Sequence, residues 1–215
     1  MPRLQQHVSR AIALGLRAQK GAAVAVGVTL EHGEPRVMFS TLLACSEDGD
    51  ALSIAPYTLA AGMPRDPKGR ATAEALAAVA EGRRGQDALA TRGLQALLDD
   101  LRAQGYTSVS AALLVNRAGW ITDLLQYSLA WAEHVPVAEL MGVRDAMRAA
   151  CGQCGIELTE LDEKSLPEVA GAALGLPADA MPERLKALGA SVGRPWRKEQ
   201  KLACLSAWLL AAGLG

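Results

Sequence analysis

The cysteines, the histidines and one cluster of cations are the residues of this chain whose types and spacing bear on chemistry. Cys151-Gly152-Gln153-Cys154 is a lone CxxC. As a zinc site it lacks two further ligands: no second CxxC and no HxxxH accompanies it, and Cys45, Cys204, His7, His32 and His134 are scattered. As a redox pair it would need a helix N-terminus, whose dipole favours thiolate, whereas the helical pattern puts it at a helix C-terminus. Small buried thiols around a helix stop are therefore the expectation. Glu133-His134 is the one acid–histidine neighbour pair in a helical stretch. Adjacent helix residues point about 100° apart, so these two form no catalytic pair, and a surface histidine near Pro136 is expected. No Gly-x-Ser-x-Gly elbow is present for a serine hydrolase. The glycines from Gly62 to Gly69-Arg70 lack the Gly-Lys-Ser/Thr ending that cradles phosphates.

The densest basic stretch is Arg194-Pro195-Trp196-Arg197-Lys198-Glu199-Gln200-Lys201. Arg197, Lys198 and Lys201 share a face at the start of the last helix. With Arg194 and the interleaved tryptophan they suit contact with a phosphate backbone and stacking on a base. Cations at a helix N-terminus are unfavourable by about 0.3–1 kcal/mol, a hint that something other than stability placed them there. The plainer alternative is a solvated helix start, with Trp196 packed as a staple against the core. Arg17 and Lys20 are the second cationic candidates; here the alternative is an Arg17 stem packed on a sheet with its head in solvent.

These residues must be positioned by a chain of 215 residues, long enough to bury a real core. Hydrophobic residues make up 50% and charged residues 21%, a globular rather than disordered composition. The formal net charge of -1 excludes a strongly basic nucleic-acid-coating protein but not a local basic patch. Aromatic residues are only 4%, so small aliphatic side chains, alanine above all, must fill much of the core. No stretch reaches the roughly 18 apolar residues of a membrane span. The N-terminal segment MPRLQQHVSRAIALGLRAQKG lacks a signal peptide's cleavage region. Cytoplasmic residence with reduced thiols is the expectation from four cysteines.

Residues 11–17, 22–30 and 36–43 are short aliphatic runs separated by turn signals at Gln19-Lys20-Gly21 and Glu31-His32-Gly33-Glu34-Pro35, which predicts an antiparallel meander. A long connection without regular structure is expected over 44–70. A helix follows from Thr72 to Gln104, with Leu94, Leu97, Leu98 and Leu101 on one face and a kink or break at Gly82-Arg83-Arg84-Gly85. Ser108 to Val115 predicts a fourth strand, 121–151 a helix interrupted near Pro136, and Ile156 to Leu161 a fifth strand. Short helices over 166–174 and 180–188, each starting near a proline, precede a last helix from Lys198 to Ala212. The order predicts one α/β domain over 1–215.

This order, with its local sequence, resembles the ribonuclease-H-like superfamily and, within it, the RuvC-type Holliday-junction resolvase branch. Leu14-Gly15-Leu16-Arg17-Ala18-Gln19-Lys20-Gly21 stands where that branch has hydrophobic-Gly-hydrophobic-Asp and a tight turn. IELTEL, the LPEVAGAALG and MPERLKALG helices, and KEQKLACLSAWLLA are similar to its closing strand and helices. The resemblance implies a mixed five-stranded sheet, three antiparallel strands and then two more, flanked by helices. It also implies nucleic acid as partner, and carboxylates that hold two divalent metals on the first strand, the fourth strand and the last helix. Those positions depart from the pattern. Arg17 holds the first, Asn116 is the nearest polar residue to the second, and Gln200 or Lys201 stands at the third with Glu199 beside it. A cation in such a site repels a divalent metal.

The expectation is therefore a non-catalytic domain with no metal and no cofactor. It would bind nucleic acid or another phosphate-bearing ligand through Arg17, Lys20, Asn116, Trp196, Arg197 and Lys201. In the resembled fold the first strand and the last helix border one cleft, which would bring Arg17 and Lys201 together. Two rivals stand beside this reading. One is a metal-dependent nuclease whose acids have moved, to Asp48, Asp50, Asp123 or Glu139. The other is a structural subunit that forms homo-oligomers through its alanine-rich helices.

Overall fold

The computed structural model describes residues 10–116 and 120–213, so the N-terminal segment and His7 lie outside the described residues. Strands β1 (Arg10–Gln19), β2 (Ala22–Glu31) and β3 (Glu34–Ala44) form the antiparallel meander. The turn between β2 and β3 places both His32 and Gly33 at positive φ, 55° and 84°. That is the backbone twist a two-residue hairpin needs. Pro35 sits in β3, an edge strand, where its missing N–H is tolerated. Strand β4 (Tyr106–Val115) pairs parallel with β1, and β5 (Glu157–Asp162) pairs parallel with β4. The five strands lie in the order β3-β2-β1-β4-β5.

Side chains of β1 alternate between two cores, as strand geometry requires. Ile12, Leu14, Leu16 and Ala18 face helices α3 (Ala73–Ala103) and α5 (Val135–Gln153), where Leu94, Leu98, Val143 and Met147 meet them. Ala13 faces the opposite layer with Val24, Val26 and Leu114. That layer is built by α6 (Leu166–Leu174), α7 (Ala180–Leu188) and α8 (Lys198–Ala211). Gly15 belongs to this second face, and α8 lies directly on it: a Cβ there would stand 1.7 Å from the Ala203 carbonyl oxygen. No helix of the described residues is long and apolar enough to cross a membrane.

Three local expectations are corrected. The 44–70 connection contains two short helices, α1 (Ala51–Ile54), capped by the Asp50 carboxylate, and α2 (Pro56–Ala61). The break expected at Gly82-Arg83-Arg84-Gly85 is absent, and α3 runs unbroken for 31 residues. Gly82 is present for space rather than for flexibility. A Cβ there would come within 2.3 Å of the Leu52 carbonyl oxygen and 2.8 Å of Pro56 Cβ, so α1 and α2 press on α3 at this point. Finally, the helical stretch beyond residue 120 breaks at Trp131, whose backbone is extended, between α4 (Leu124–Ala130) and a 3-10 turn over Ala132–His134. Pro136 does not interrupt a helix. It sits in the first turn of α5, where its missing N–H costs nothing.

Helix propensity alone says that Gly82 or Gly85 of α3 replaced by alanine stabilises the protein by about 0.8–1.0 kcal/mol. At Gly85 the nearest atom to a new Cβ is Ser53 Cβ at 3.7 Å, an ordinary contact. Chemical denaturation should therefore show Gly85→Ala stabilising, and Gly82→Ala destabilising by about 1–3 kcal/mol through overpacking.

Candidate functional site

Arg17 follows Gly15 by two residues, so it projects to the same face of the sheet as α8. Its guanidinium is held by a two-bond fork: Nε donates to Glu163 Oε2 at 3.0 Å and Nη2 donates to Glu163 Oε1 at 2.8 Å. A second carboxylate flanks it, with Glu199 Oε1 4.0 Å from Nη1. Glu163 is the first residue beyond β5, and its N–H donates to the Val115 carbonyl at 2.8 Å, which carries the sheet's pairing one residue further. Glu199 lies in the first turn of α8, whose start is fixed by the Arg197 N–H donating to Gln200 Oε1 at 3.0 Å. The Arg17 and Glu163 side chains are 20% and 18% exposed, so solvent screens this pair less than a surface pair.

The ion pair is the wall between two open clefts at the strand ends. Arg17 lines one of about 450 Å³, together with Ser40, Leu42, Arg197 and Glu199. Glu163 lines the other, of about 920 Å³, with Asn116, Asp162, Lys164, Glu168 and Lys198. The charges of the two balance, four cations against four carboxylates. From the opposite face of the sheet, Arg144 of α5 is buried with its Nε unpartnered among the described residues. Burial pulls its pKa down, and the Glu163 carboxylate opposes that.

The cationic candidates are thus divided. Arg17 and Arg197 share a cleft, but Arg17 is already paired. Lys201 does not line that cleft; it stands one turn beyond Arg197, its N–H donating to the Arg197 carbonyl. Asn116 is exposed and shares the second cleft with Lys198. Lys20, in the β1–β2 turn, lines a separate cavity with Glu139. Trp196 is a packing anchor: its indole N–H donates to the Leu185 carbonyl at 2.8 Å and its ring occupies the place of a side chain on Gly189. Its basic neighbours are exposed while its own ring is committed to α7.

Two tryptophans that the sequence reading passed over are the exposed ones, Trp120 at 71% and Trp131 at 65%. Trp120 meets Tyr127 edge-on with ring centres 5.6 Å apart, and Tyr127 stacks flat on His134 at 3.9 Å. Because Trp120 is four residues from Asn116, it lies within about 14 Å of the second cleft along the chain. The signal was available in Asn116-Arg117-Ala118-Gly119-Trp120, a large aromatic among polar and small residues just past a strand. Glu163 was missed because the fifth strand was expected to end at Leu161.

Three of the four relocated acids are engaged elsewhere; the exception is Asp48. Asp50 caps α1, Asp123 caps α4 through the Gln126 N–H at 2.9 Å, and Glu139 accepts from Thr58. Among the described residues no group of three or more His, Cys, Asp or Glu is placed to hold a metal ion. The metals implied by the resemblance therefore do not fit here, since a guanidinium already lies between the two carboxylates. Glu133 and His134 do not pair; His134 Nδ1 instead lies 2.9 Å from the Tyr127 carbonyl.

No family model matches the chain, and no curated protein matches it. Among solved structures it is similar to Thermus thermophilus RuvC in complex with Holliday junction substrate, at TM-score 0.52 and 7% identity, covering 94% of this chain and 96% of that one. It is also similar to a second Thermus thermophilus RuvC structure, at TM-score 0.49 and 11% identity, covering 94% and 93%. The first of these likenesses and the 3-2-1-4-5 mixed sheet establish the ribonuclease-H-like fold.

The cysteines carry one prediction. Burial pushes the thiols of Cys45 and Cys204 up to about 12 and that of Cys151 up to about 11, and it raises Cys154 as well. Cys154 alone is only half-buried. A thiol reagent near neutral pH should therefore label Cys154 first and slowly, and reach the other three only on unfolding. Rapid labelling of both Cys151 and Cys154 in the folded protein would contradict this.

Proposed function

From a ribonuclease-H-like fold whose strand-end carboxylates already hold a cation of the chain itself, we propose a non-catalytic nucleic-acid-binding module. It forms one domain over 1–215 and works in the cytoplasm. The observation that carries the reading is the Arg17–Glu163 fork with Glu199 beside it. At 4 Å and an effective dielectric of 20, two like unit charges repel by about 4 kcal/mol, and a divalent ion would meet twice that from Arg17. Glu163 is satisfied by a hydrogen-bonded guanidinium and Glu199 lies within ion-pair distance of the same charge, which supports a domain that binds rather than cleaves.

Nucleic acid as the ligand is supported by the DNA complex formed by the RuvC that shares this fold. The exposed groups around the ion pair support it too. Arg197 and Lys198 are exposed at the start of α8, Lys201 follows one turn later, and Asn116 offers a hydrogen-bonding side chain. Trp120 supplies the stacking surface that Trp196 does not. Balanced charge in the clefts limits the number of phosphates neutralised to about two or three, so the salt dependence should be shallow, with a slope of roughly −2 to −3 in log K against log salt on duplex. Stacking on Trp120 requires an unstacked base, which favours single strands and branch points over plain duplex.

Fluorescence anisotropy with single-stranded, duplex and branched DNA at two salt concentrations tests the reading, with the same samples then given magnesium or manganese and run on a gel. The expected result is binding without cleavage. Trp120→Ala should weaken single-strand binding by about 1–3 kcal/mol, and Arg197→Glu should weaken all substrates alike. Metal-stimulated cleavage that disappears in Glu163→Gln would overturn the assignment.

A further inference from the structure

Lys186 in the last turn of α7, Arg194 in the loop beyond it and Arg197 at the start of α8 line one open pocket of about 530 Å³. That volume is in the usual range of about 300–1,000 Å³ for a small-molecule site. No carboxylate lines it, in contrast to the clefts beside Arg17, where cations and carboxylates balance. Arg194 and Arg197 make no ion pair among the described residues. Lys186 meets Glu183 at 3.4 Å, but the two side chains are 70% and 77% exposed and the pair is weak. All three cations are exposed, so a solute reaches them directly. The wall beside them is fixed, since the Trp196 indole N–H is committed to the Leu185 carbonyl and Pro195 adjoins it. The backbone adds donors. Val192 is in the right-handed region (φ −112°, ψ −5°) and Gly193 follows it at φ 76°. Such a succession turns consecutive N–H groups to one side and forms an anion-binding concavity. The Gly193 and Arg194 N–H groups have no partner among the described residues.

We propose that this pocket holds the 5′-phosphate of a nucleotide, with the phosphate among Lys186, Arg194 and Arg197 and the sugar against Pro195 and Trp196. The nucleotide is either free or the first of a strand. Charge selects a terminal phosphate over the phosphodiesters of a strand's interior. Near neutral pH a phosphomonoester carries about −1.5 to −2, whereas a diester carries a single charge. Three cations with no carboxylate among them favour the larger charge. Two arginines suit it as well, because the planar guanidinium fork matches a pair of phosphate oxygens. Arg197 and Pro195 line both this pocket and the cleft beside Arg17, so a strand that ends here continues toward that cleft. In the strand-end case the proposal rests on the nucleic-acid reading; in the free-nucleotide case it stands alone.

Two measurements on the full chain at low salt test it: calorimetry with AMP and with adenosine, and anisotropy with 3′-labelled single strands that carry a 5′-phosphate or a 5′-hydroxyl. A free nucleotide as ligand shows AMP bound at least tenfold more tightly than adenosine. A strand end as ligand shows the phosphorylated strand bound at least threefold more tightly than its hydroxyl counterpart. In either case Arg194→Ala, at an exposed loop position, should lower the affinity of the phosphorylated ligand by about tenfold or more, the loss of one charged hydrogen bond. Lys186→Ala, exposed on α7, should act in the same direction. No AMP binding at millimolar concentration together with strands that bind alike whatever their 5′ end would overturn the proposal and leave the nucleic-acid reading standing. So would a phosphate preference that both variants leave unchanged. AMP binding without binding of any strand would do the reverse, sinking the nucleic-acid reading and supporting the pocket.

Discussion

The strand ends are organised by one contact to which the strand brings no side chain, the seat of α8 on β1 at Gly15. Gly15 has only hydrogen where every other residue type has a Cβ, and the Ala203 carbonyl and Ser206 hydroxyl occupy that space. Helix and sheet therefore approach more closely than side-chain packing allows. The alanines on both sides of the contact, Ala13 on the strand and Ala203 and Ala207 on the helix, keep that approach possible along its length. The alanine-rich composition is in this sense a geometric requirement. With α8 seated so close, its first turn comes down beside the end of β1, and Glu199 arrives next to Arg17 two residues after the glycine that made the approach possible.

Much of this was legible in the sequence, and the reasons differ from element to element. The meander was readable because its turns carry Gly21 and Gly33, and both adopt the positive φ that marks such turns. The last helix was readable from its leucines and Trp208 at three and four. Gly82 and Pro136 misled for a shared reason. Each is a helix breaker by local preference: at Gly82 the packing of α1 and α2 overrides it, and Pro136 falls in a first turn, where that preference does not apply. The resemblance located Arg17 at the position of an expected acid but carried no information about its partners. Glu163 lies 146 residues away along the chain. A bond over that separation is decided by strand order, which local sequence does not encode. Trp196 stood out because it interrupts a run of cations, whereas the weaker signal at Trp120, an aromatic among polar and small residues past a strand, gains its meaning only from its exposure in the folded surface.

Electrostatics ties the two halves of the molecule together. The near-balance of charge over the whole chain, formally -1, has a local counterpart, since the clefts beside the ion pair are lined by equal numbers of cations and carboxylates among the described residues. A surface of that kind does not attract polyanions from a distance; it recognises them at contact, through a few placed cations and a stacking ring.

The Arg17 guanidinium also has a consequence for permanence. A cation recruited from solution has a dissociation rate, competes with other ions and can be withdrawn by a chelator. One attached to β1 by its own side chain has none of these properties. Its effective concentration between Glu163 and Glu199 is set by covalent geometry, so the contact joining the ends of β1 and β5 re-forms after each opening without drawing an ion from the surroundings.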